Sequence, residues 1–282
     1  MPERDGYIAG VPCWIDRSYP DPEPVLKFYA GLFGWEFNQV SDPGGERYFI
    51  ASVNGGSVGA IGELPANAPA FSGWNTYIAV DNADAVAPKL KAAGGEVLVE
   101  AFDVGPAGRT AIFKDPEGAV FSVWQAGTNK GAQRVNEHGA VNFNILLSAD
   151  SAKAKAFYGA VFGWETLAVP GADEFWTLPA YGDHLEELAP GTRKRNAEMG
   201  VPGFENVLAA LRPADPGMAP HWGVTFGVDD ANAAARTAES LGGKVITAPA
   251  DGPYTRYTVL ADPLGGWFGC GQFVPENKPA LA

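Results

Sequence analysis

The sequence predicts an α+β fold of four β-α-β-β-β modules arranged in two tandem halves, and two repeats carry that prediction. Phe28-Tyr29-Ala30-Gly31-Leu32-Phe33-Gly34-Trp35-Glu36 returns as Phe157-Tyr158-Gly159-Ala160-Val161-Phe162-Gly163-Trp164-Glu165, identical at six of nine positions and 129 residues further on. That offset is about one domain length. The turn Asp115-Pro116-Glu117-Gly118 returns as Asp262-Pro263-Leu264-Gly265, 147 residues on. The larger offset places a net insertion between Glu165 and Asp262, and Asp183–Pro202 is the stretch without a counterpart in the first half.

The first strand is expected at Gly10–Arg17, with Trp14 and Asp16 sharing one face. Asp21-Pro22-Glu23 opens a helix: Asp as cap, Pro at the first helical position, and Glu at the positive end of the dipole. Val25, Phe28, Tyr29, Leu32 and Phe33 recur at helical spacing, and Gly34 supplies a left-handed stop. Strands at 36–40, 47–53 and 57–64 complete the first module, separated by Asp42-Pro43-Gly44-Gly45 and Asn54-Gly55-Gly56. The second module has a strand at 74–80 and a helix at about 82–93, kinked or late-starting because of Pro88. Strands at 96–102, 110–114 and 119–125 close it. The second half repeats the plan: strand 141–147, helix 151–162, strands 175–178 and 204–212, strand 222–228, helix 232–241, and strands 255–260 and 266–273. Domains are therefore expected at 1–127 and 140–274, with a linker at 128–139 and a tail at 275–282. The charged stretch 183–202 is expected as a solvated surface helix or loop. A lid over the second-half pocket is its sharper alternative.

Composition narrows the function. A net charge of −13 argues against a nucleic-acid partner, whose phosphates require clustered Lys and Arg; the single basic run is Arg193-Lys194-Arg195. No apolar stretch approaches the roughly 20 residues of a membrane span. The N-terminus lacks the basic-then-apolar order of a signal peptide, so a soluble cytoplasmic protein is expected. Cys13 and Cys270 suggest neither a disulfide framework nor a metal cluster, and are expected as buried thiols rather than nucleophiles. No Ser-His-Asp order, phosphate loop or dinucleotide fingerprint is present.

Four such modules, with FYxxxFGWE after the first helix of each pair and DPxG before the last strand, resemble the glyoxalase/bleomycin-resistance/dioxygenase group, the vicinal oxygen chelate superfamily. Trp74–Asp81 and Gln272–Asn277 resemble its tandem actinobacterial members, described as glyoxalase-like or hydroxylase. The resemblance implies that each module pair curls into a cupped, mostly antiparallel sheet around one pocket, with helices outside, so that the chain is a pseudo-dimer. In metal-using members, His, Gln or Glu ligands come from the first strand of each module and from the closing strand. Counted from the motifs, those positions fall at Trp14, Asn75 and Ser122 in the first half, and at Phe143, Gly223 and Gly269 in the second. None of these is a good ligand for a divalent ion. Neither a metal nor another cofactor is expected, although His221, two residues before Gly223, leaves a non-standard second-half site open.

What remains is a concave pocket with a few polar groups. Strand alternation turns Trp14, Asp16, Asn75, Tyr77, Ser122 and Trp124 inward in the first half, each of which also suits an ordinary core. In the second half Phe143, Gly223, Thr225, Trp267 and Gly269 occupy the equivalent surface. Glycines at ligand positions and aromatic walls (Phe143, Trp176, Trp267) suggest a roomier cup suited to a flat ring system; a collapsed, structural second half is the competing expectation. Two functions follow. The first is a metal-independent protein that binds or sequesters a bulky aromatic small molecule, as a helper or self-resistance factor in secondary metabolism. The second is a lyase, oxygenase, hydroxylase or isomerase with Asp16 or Glu63 as general base, its pKa raised by an apolar pocket.

Overall fold

The computed structural model describes residues 3–40, 45–66, 73–169, 174–198 and 201–277. The expected turn at Asp42-Pro43-Gly44-Gly45 lies mostly outside these, as does the end of the tail. The first half contains β1 (Pro12–Tyr19), α1 (Glu23–Phe33), β2 (Glu36–Gln39), β3 (Tyr48–Val53) and β4 (Gly56–Glu63). Its second module is β5 (Asn75–Ala79), α2 (Val86–Ala92), β6 (Glu96–Val104), β7 (Gly108–Lys114) and β8 (Val120–Ala126). The second half contains β9 (Val141–Ser148), α3 (Ser151–Phe162), β10 (Glu165–Ala168), β11 (Glu174–Thr177), α4 (Pro179–Leu188), α5 (Thr192–Glu198) and β12 (Val207–Pro213). It ends with β13 (His221–Gly227), α6 (Ala231–Ser240), β14 (Lys244–Gly252), β15 (Thr255–Ala261) and β16 (Trp267–Phe273). Each half forms one eight-stranded sheet, in the orders β2-β3-β4-β1-β5-β8-β7-β6 and β10-β11-β12-β9-β13-β16-β15-β14. The fold is α+β in two tandem halves. Among the described residues no helix is long and apolar enough to cross a membrane.

Local chemistry sets the element ends. The Glu23 backbone N–H donates to Asp21 Oδ1 (3.2 Å), and the Asp150 side chain accepts from Ala152 N and Lys153 N at the start of α3. Gly34 and Gly163 stop their helices at φ 71° and 72°, a conformation that other residues adopt only with strain. α2 starts late, at Val86, so that Pro88 sits in its first turn, where a missing N–H breaks no helical bond. Strands β10 and β14, absent from the sequence-based expectation, add one strand to each module of the second half.

The two halves share their cores. Phe28, Tyr29, Leu32 and Phe33 of α1 pack between the outer face of β1 (Ile15, Tyr19) and the second half's Phe226, Phe268 and Ala235. In mirror fashion Phe157, Tyr158 and Val161 of α3 pack against Phe113, Phe121 and Leu90 of the first half. The helices lie outside each cup but between the two sheets. Polar bonds follow the same crossing. Tyr29 Oη donates to Asp262 Oδ2 (3.1 Å), which also accepts from Tyr19 Oη, and Tyr158 Oη donates to Asp115 Oδ2 (3.1 Å) while accepting from Trp222 Nε1 (2.9 Å). Trp35 Nε1 donates to Gly139 O and Trp164 Nε1 to Gly10 O, both at 2.7 Å.

The described part of the insertion packs away from the second-half cavity. Tyr181 and Leu185 of α4 join the cluster around Trp164 and Trp176, and Tyr181 Oη accepts from Arg4 of the N-terminal segment. No described residue of α4 or α5 lines the second-half cavity.

Two outcomes follow. Tyr158→Phe leaves buried Trp222 Nε1 without its acceptor and removes a bond to a buried carboxylate, so urea denaturation is expected to show a loss of about 1.5–3 kcal/mol. A change below about 0.5 kcal/mol, the scale of a neutral surface substitution, would sink the assignment. The segment 1–127 expressed alone exposes the apolar face of α1 and is expected to lack a cooperative unfolding transition as a monomer; a monomeric, cooperatively unfolding fragment would contradict shared cores.

Candidate functional site

The first cup is filled by its own side chains. Antiparallel pairing of β1 with β5 sets Trp14 opposite Tyr77 and Asp16 opposite Asn75, and parallel pairing of β5 with β8 sets Tyr77 beside Ser122. All six residues expected here come together. Asp16 Oδ2 accepts from Tyr77 Oη (2.7 Å) and Tyr48 Oη (3.0 Å), and its Oδ1 lies 3.4 Å from Asn75 Nδ2. Asn75 Nδ2 also donates to Ser122 Oγ (3.0 Å), and Trp14 Nε1 donates to Tyr48 Oη (3.2 Å). Trp124 meets Tyr77 edge-on, with ring centres 6.2 Å apart, and donates to Asn129 O of the linker. The linker's Ala132 packs against this cluster. Burial raises the Asp16 pKa above the usual carboxylate range, and the bonds from Tyr77, Tyr48 and Asn75 only partly offset it. Tyr48, which the sequence reading missed, shares the inward face of β3 with Ile50; alternation along 48–53 was the available signal.

Glu63 departs from expectation. Arg47 binds it through Nε (3.1 Å) and backbone N (3.1 Å), and this hydrogen bonding holds its pKa below the usual value. A carboxylate stabilised as an anion beside a guanidinium is a poor base, so the expected apolar activation of Glu63 is corrected.

The second cup has the same frame with smaller contents. Pairing sets Thr225 opposite Phe143 and beside Gly269, and Gly223 opposite Ile145. In the frame of the first cup, Gly223 therefore replaces Asn75, Gly269 replaces Ser122, Thr225 replaces Tyr77 and Ile145 replaces Asp16. A cavity of about 850 Å3 opens there, lined by Gly223, Thr225, Trp267 and Gly269, together with Ile145, Leu147, Arg212, Tyr257 and Val259. It reaches the first half at Gly73–Asn75. Trp267 is 46% exposed at its wall.

Two placements differ from expectation, and a third residue has a second role. Trp176 is fully buried on the helix side, against Tyr158 and Trp164, because β11 turns Phe175 inward instead. Phe143 shares the inner face and meets Phe175 with ring centres 5.8 Å apart, beside the cavity rather than in its lining. Gly269 lines the cavity, and its missing side chain also makes room for a tyrosine: a Cβ there would stand 2.5 Å from Tyr257 Oη and 2.7 Å from Thr225 Oγ1. Tyr257 was missed because nothing in its own strand distinguishes it. The Arg212 guanidinium lies 5.3 Å from its ring centre, and burial raises its pKa, so the phenol stays protonated.

The residues at the family's ligand positions do not fit a divalent ion. Asn75 and Ser122 bond each other, Trp14 donates to Tyr48, and Phe143, Gly223 and Gly269 offer no donor atom from a side chain. Among the described residues no three His, Cys, Asp or Glu side chains group together, and His221 pairs its Nδ1 with Ala219 O (2.9 Å). Cys13 and Cys270 are buried, and burial pushes both thiols up, away from nucleophilic use.

At the two glycines the structure makes opposite predictions. Gly223→Ala meets nothing closer than 3.6 Å and is expected to leave the thermal midpoint unchanged. Gly269→Ala is expected to cost about 1–3 kcal/mol through displacement of Tyr257. Equal midpoints for the two variants would contradict this packing.

The sequence matches the family model described as Glyoxalase/Bleomycin resistance protein/Dioxygenase superfamily over residues 14–123 and 140–269. It is 39% identical over 281 residues to CFP32 of Mycobacterium tuberculosis, whose name places it provisionally among the glyoxylases; the match covers 98% of this chain and 100% of the relative. It is 35% identical over 289 residues to the anthracycline biosynthesis protein DnrV of Streptomyces peucetius, covering 98% of both. Among solved structures, the Mn(II)-bound glyoxalase of Novosphingobium aromaticivorans aligns with a TM-score of 0.59 at 17% identity, covering 94% of this chain and 83% of that one. The 2,3-dioxygenase LapB of Pseudomonas sp. KL28 aligns at 0.56 and 15%, covering 94% and 93%. These structural likenesses concern the fold alone. With both halves matched and two relatives aligned over nearly their whole length, the chain belongs to the glyoxalase/bleomycin resistance protein/dioxygenase superfamily.

Proposed function

We propose that this protein binds a bulky aromatic small molecule in its second cup without a metal. The observation that carries the reading is the cavity of about 850 Å3 opened where Gly223, Thr225 and Ile145 replace Asn75, Tyr77 and Asp16. Its size falls within the roughly 300–1,000 Å3 of small-molecule sites. Trp267 offers an indole face for stacking, Ile145, Leu147 and Val259 supply apolar contact, and the protonated Tyr257 hydroxyl is a donor for a ring carbonyl. The similarity to a protein named for anthracycline biosynthesis supports a fused aromatic ligand and a helper role in secondary metabolism. The donor-poor ligand positions support binding without a metal.

The test is a titration of the full chain, treated with EDTA, against 1,8-dihydroxyanthraquinone, followed by tryptophan fluorescence. A Kd of about 1–10 μM is expected, unchanged by EDTA. Gly223→Trp, which fills the cavity, is expected to weaken binding at least about tenfold, or ~1.4 kcal/mol. Absence of binding below about 100 μM by this compound and by other three- and four-ring quinones would overturn the reading.

A further inference from the structure

Arg212 brings a cation to the wall of the open second cup. Parallel pairing of β12 with β9 sets Ala210 beside Ile145 and Arg212 beside Leu147, so Arg212 shares the inner face with two residues of the cavity lining. In the first cup the same pairing sets Ala60 beside Asp16 and Gly62 beside Ser18. Arg212 therefore stands where the first cup has a glycine, and the frame itself does not require it. Strands β9, β13 and β16 lie between β12 and β15 in the sheet, yet the guanidinium comes within 5.3 Å of the Tyr257 ring centre. Curling of the sheet closes that gap, so the pair spans the cup.

Donors gather at this corner of the cavity. A guanidinium carries five N–H donors, more than a single neighbour can use, and the protonated Tyr257 phenol carries another. The Tyr257 and Thr225 hydroxyls flank Gly269, both within 2.7 Å of the point its Cβ would occupy. Thr225 is 3% exposed and lines the cavity, and its Oγ1 completes no hydrogen bond within the protein. A buried hydroxyl is ordinarily satisfied, so a ligand acceptor at this place would answer it. The other charged residue of the lining, Asp215, is exposed in the turn after β12. Charges more than about 8 Å apart are largely screened at physiological ionic strength, so the nearby guanidinium outweighs the chain's net −13 for a group held in the cup. A carboxylate has two coplanar oxygens that match the guanidinium fork, and such charge-assisted bonds are roughly twice as strong as neutral ones.

We propose that the aromatic ligand of the second cup is an acid, whose carboxylate Arg212 clamps while the Tyr257 and Thr225 hydroxyls donate to the same group. This rests on the second cup being an aromatic site and names the class of ligand within it.

The test titrates the full chain at neutral pH with anthraquinone-2-carboxylate and with anthraquinone-2-carboxamide, its neutral isostere, following tryptophan fluorescence. The carboxylate is expected to bind at least about tenfold more tightly than the carboxamide and to displace 1,8-dihydroxyanthraquinone. Arg212→Gln, with its thermal transition retained, is expected to bring the ratio of the two Kd values to about one. Should that variant not fold, the preference and the displacement in the unaltered chain decide the matter. Equal affinities in the unaltered chain would overturn the proposal, as would failure to displace 1,8-dihydroxyanthraquinone or a preference that survives Arg212→Gln. If 1,8-dihydroxyanthraquinone binds and the carboxylate is not preferred, the acid alone is wrong. If no quinone binds, charged or neutral, the aromatic site falls with it.

Discussion

The buried tyrosine–aspartate bonds between the halves organise this molecule. Tyr29 of the first half reaches Asp262 of the second, and Tyr158 of the second reaches Asp115 of the first. Each aspartate opens a DPxG turn and also holds that turn's backbone: Asp115 Oδ1 accepts from Glu117 N and Ala119 N, and Asp262 Oδ1 from Leu264 N and Gly266 N. One side chain thus fixes a turn and docks the opposite helix. Because these bonds are shielded from water, losing one costs more than losing a comparable bond at the surface. The tandem repeat is therefore an arrangement of crossed cores, in which the first module packs with the fourth and the second with the third.

Crossing the cores separates stability from function. The outer faces of both sheets are committed to the interface between them, with Phe, Tyr and Trp rings stacked on α1 and α3. The inner faces are left free to differ. In the first cup, Trp14, Tyr77 and Trp124 fill the space and an acidic group sits among them. In the second, Gly223, Thr225 and Ile145 leave it open. A fold that keeps its frame while changing what fills its cups can support very different chemistries, which is why membership of this superfamily says little about activity.

Much of the candidate site was legible because strand alternation has a fixed period of two. Given a strand and one inward residue, the others follow, and Trp14, Asp16, Asn75, Tyr77, Ser122 and Trp124 all share the predicted face. The same rule failed at β11. That four-residue strand left no long pattern to anchor its phase, and Phe175 faces inward and Trp176 outward. Glu63 faces Arg47, sixteen residues earlier, across the β3–β4 hairpin. That ion pair was not visible in residue identities alone, and it reverses the expected direction of the carboxylate's pKa.

By itself the sequence determined the repeat, the helix stops and most elements of the modules, though not β10 and β14, because helix stops, turn glycines and side-chain periodicity act over a few residues. It also determined that the metal-ligand positions are donor-poor, since that depends only on which residue stands at a counted place. Only the tertiary structure decided how the halves embrace, because Tyr29 and Asp262 lie 233 positions apart and no local pattern encodes that contact. It also decided that the FYxxxFGWE helices face the opposite half rather than solvent, and that Gly269 yields its space to Tyr257. Whether a glycine leaves a void or admits a neighbour depends on what the next strand sends toward it, and that is a property of the packed sheet.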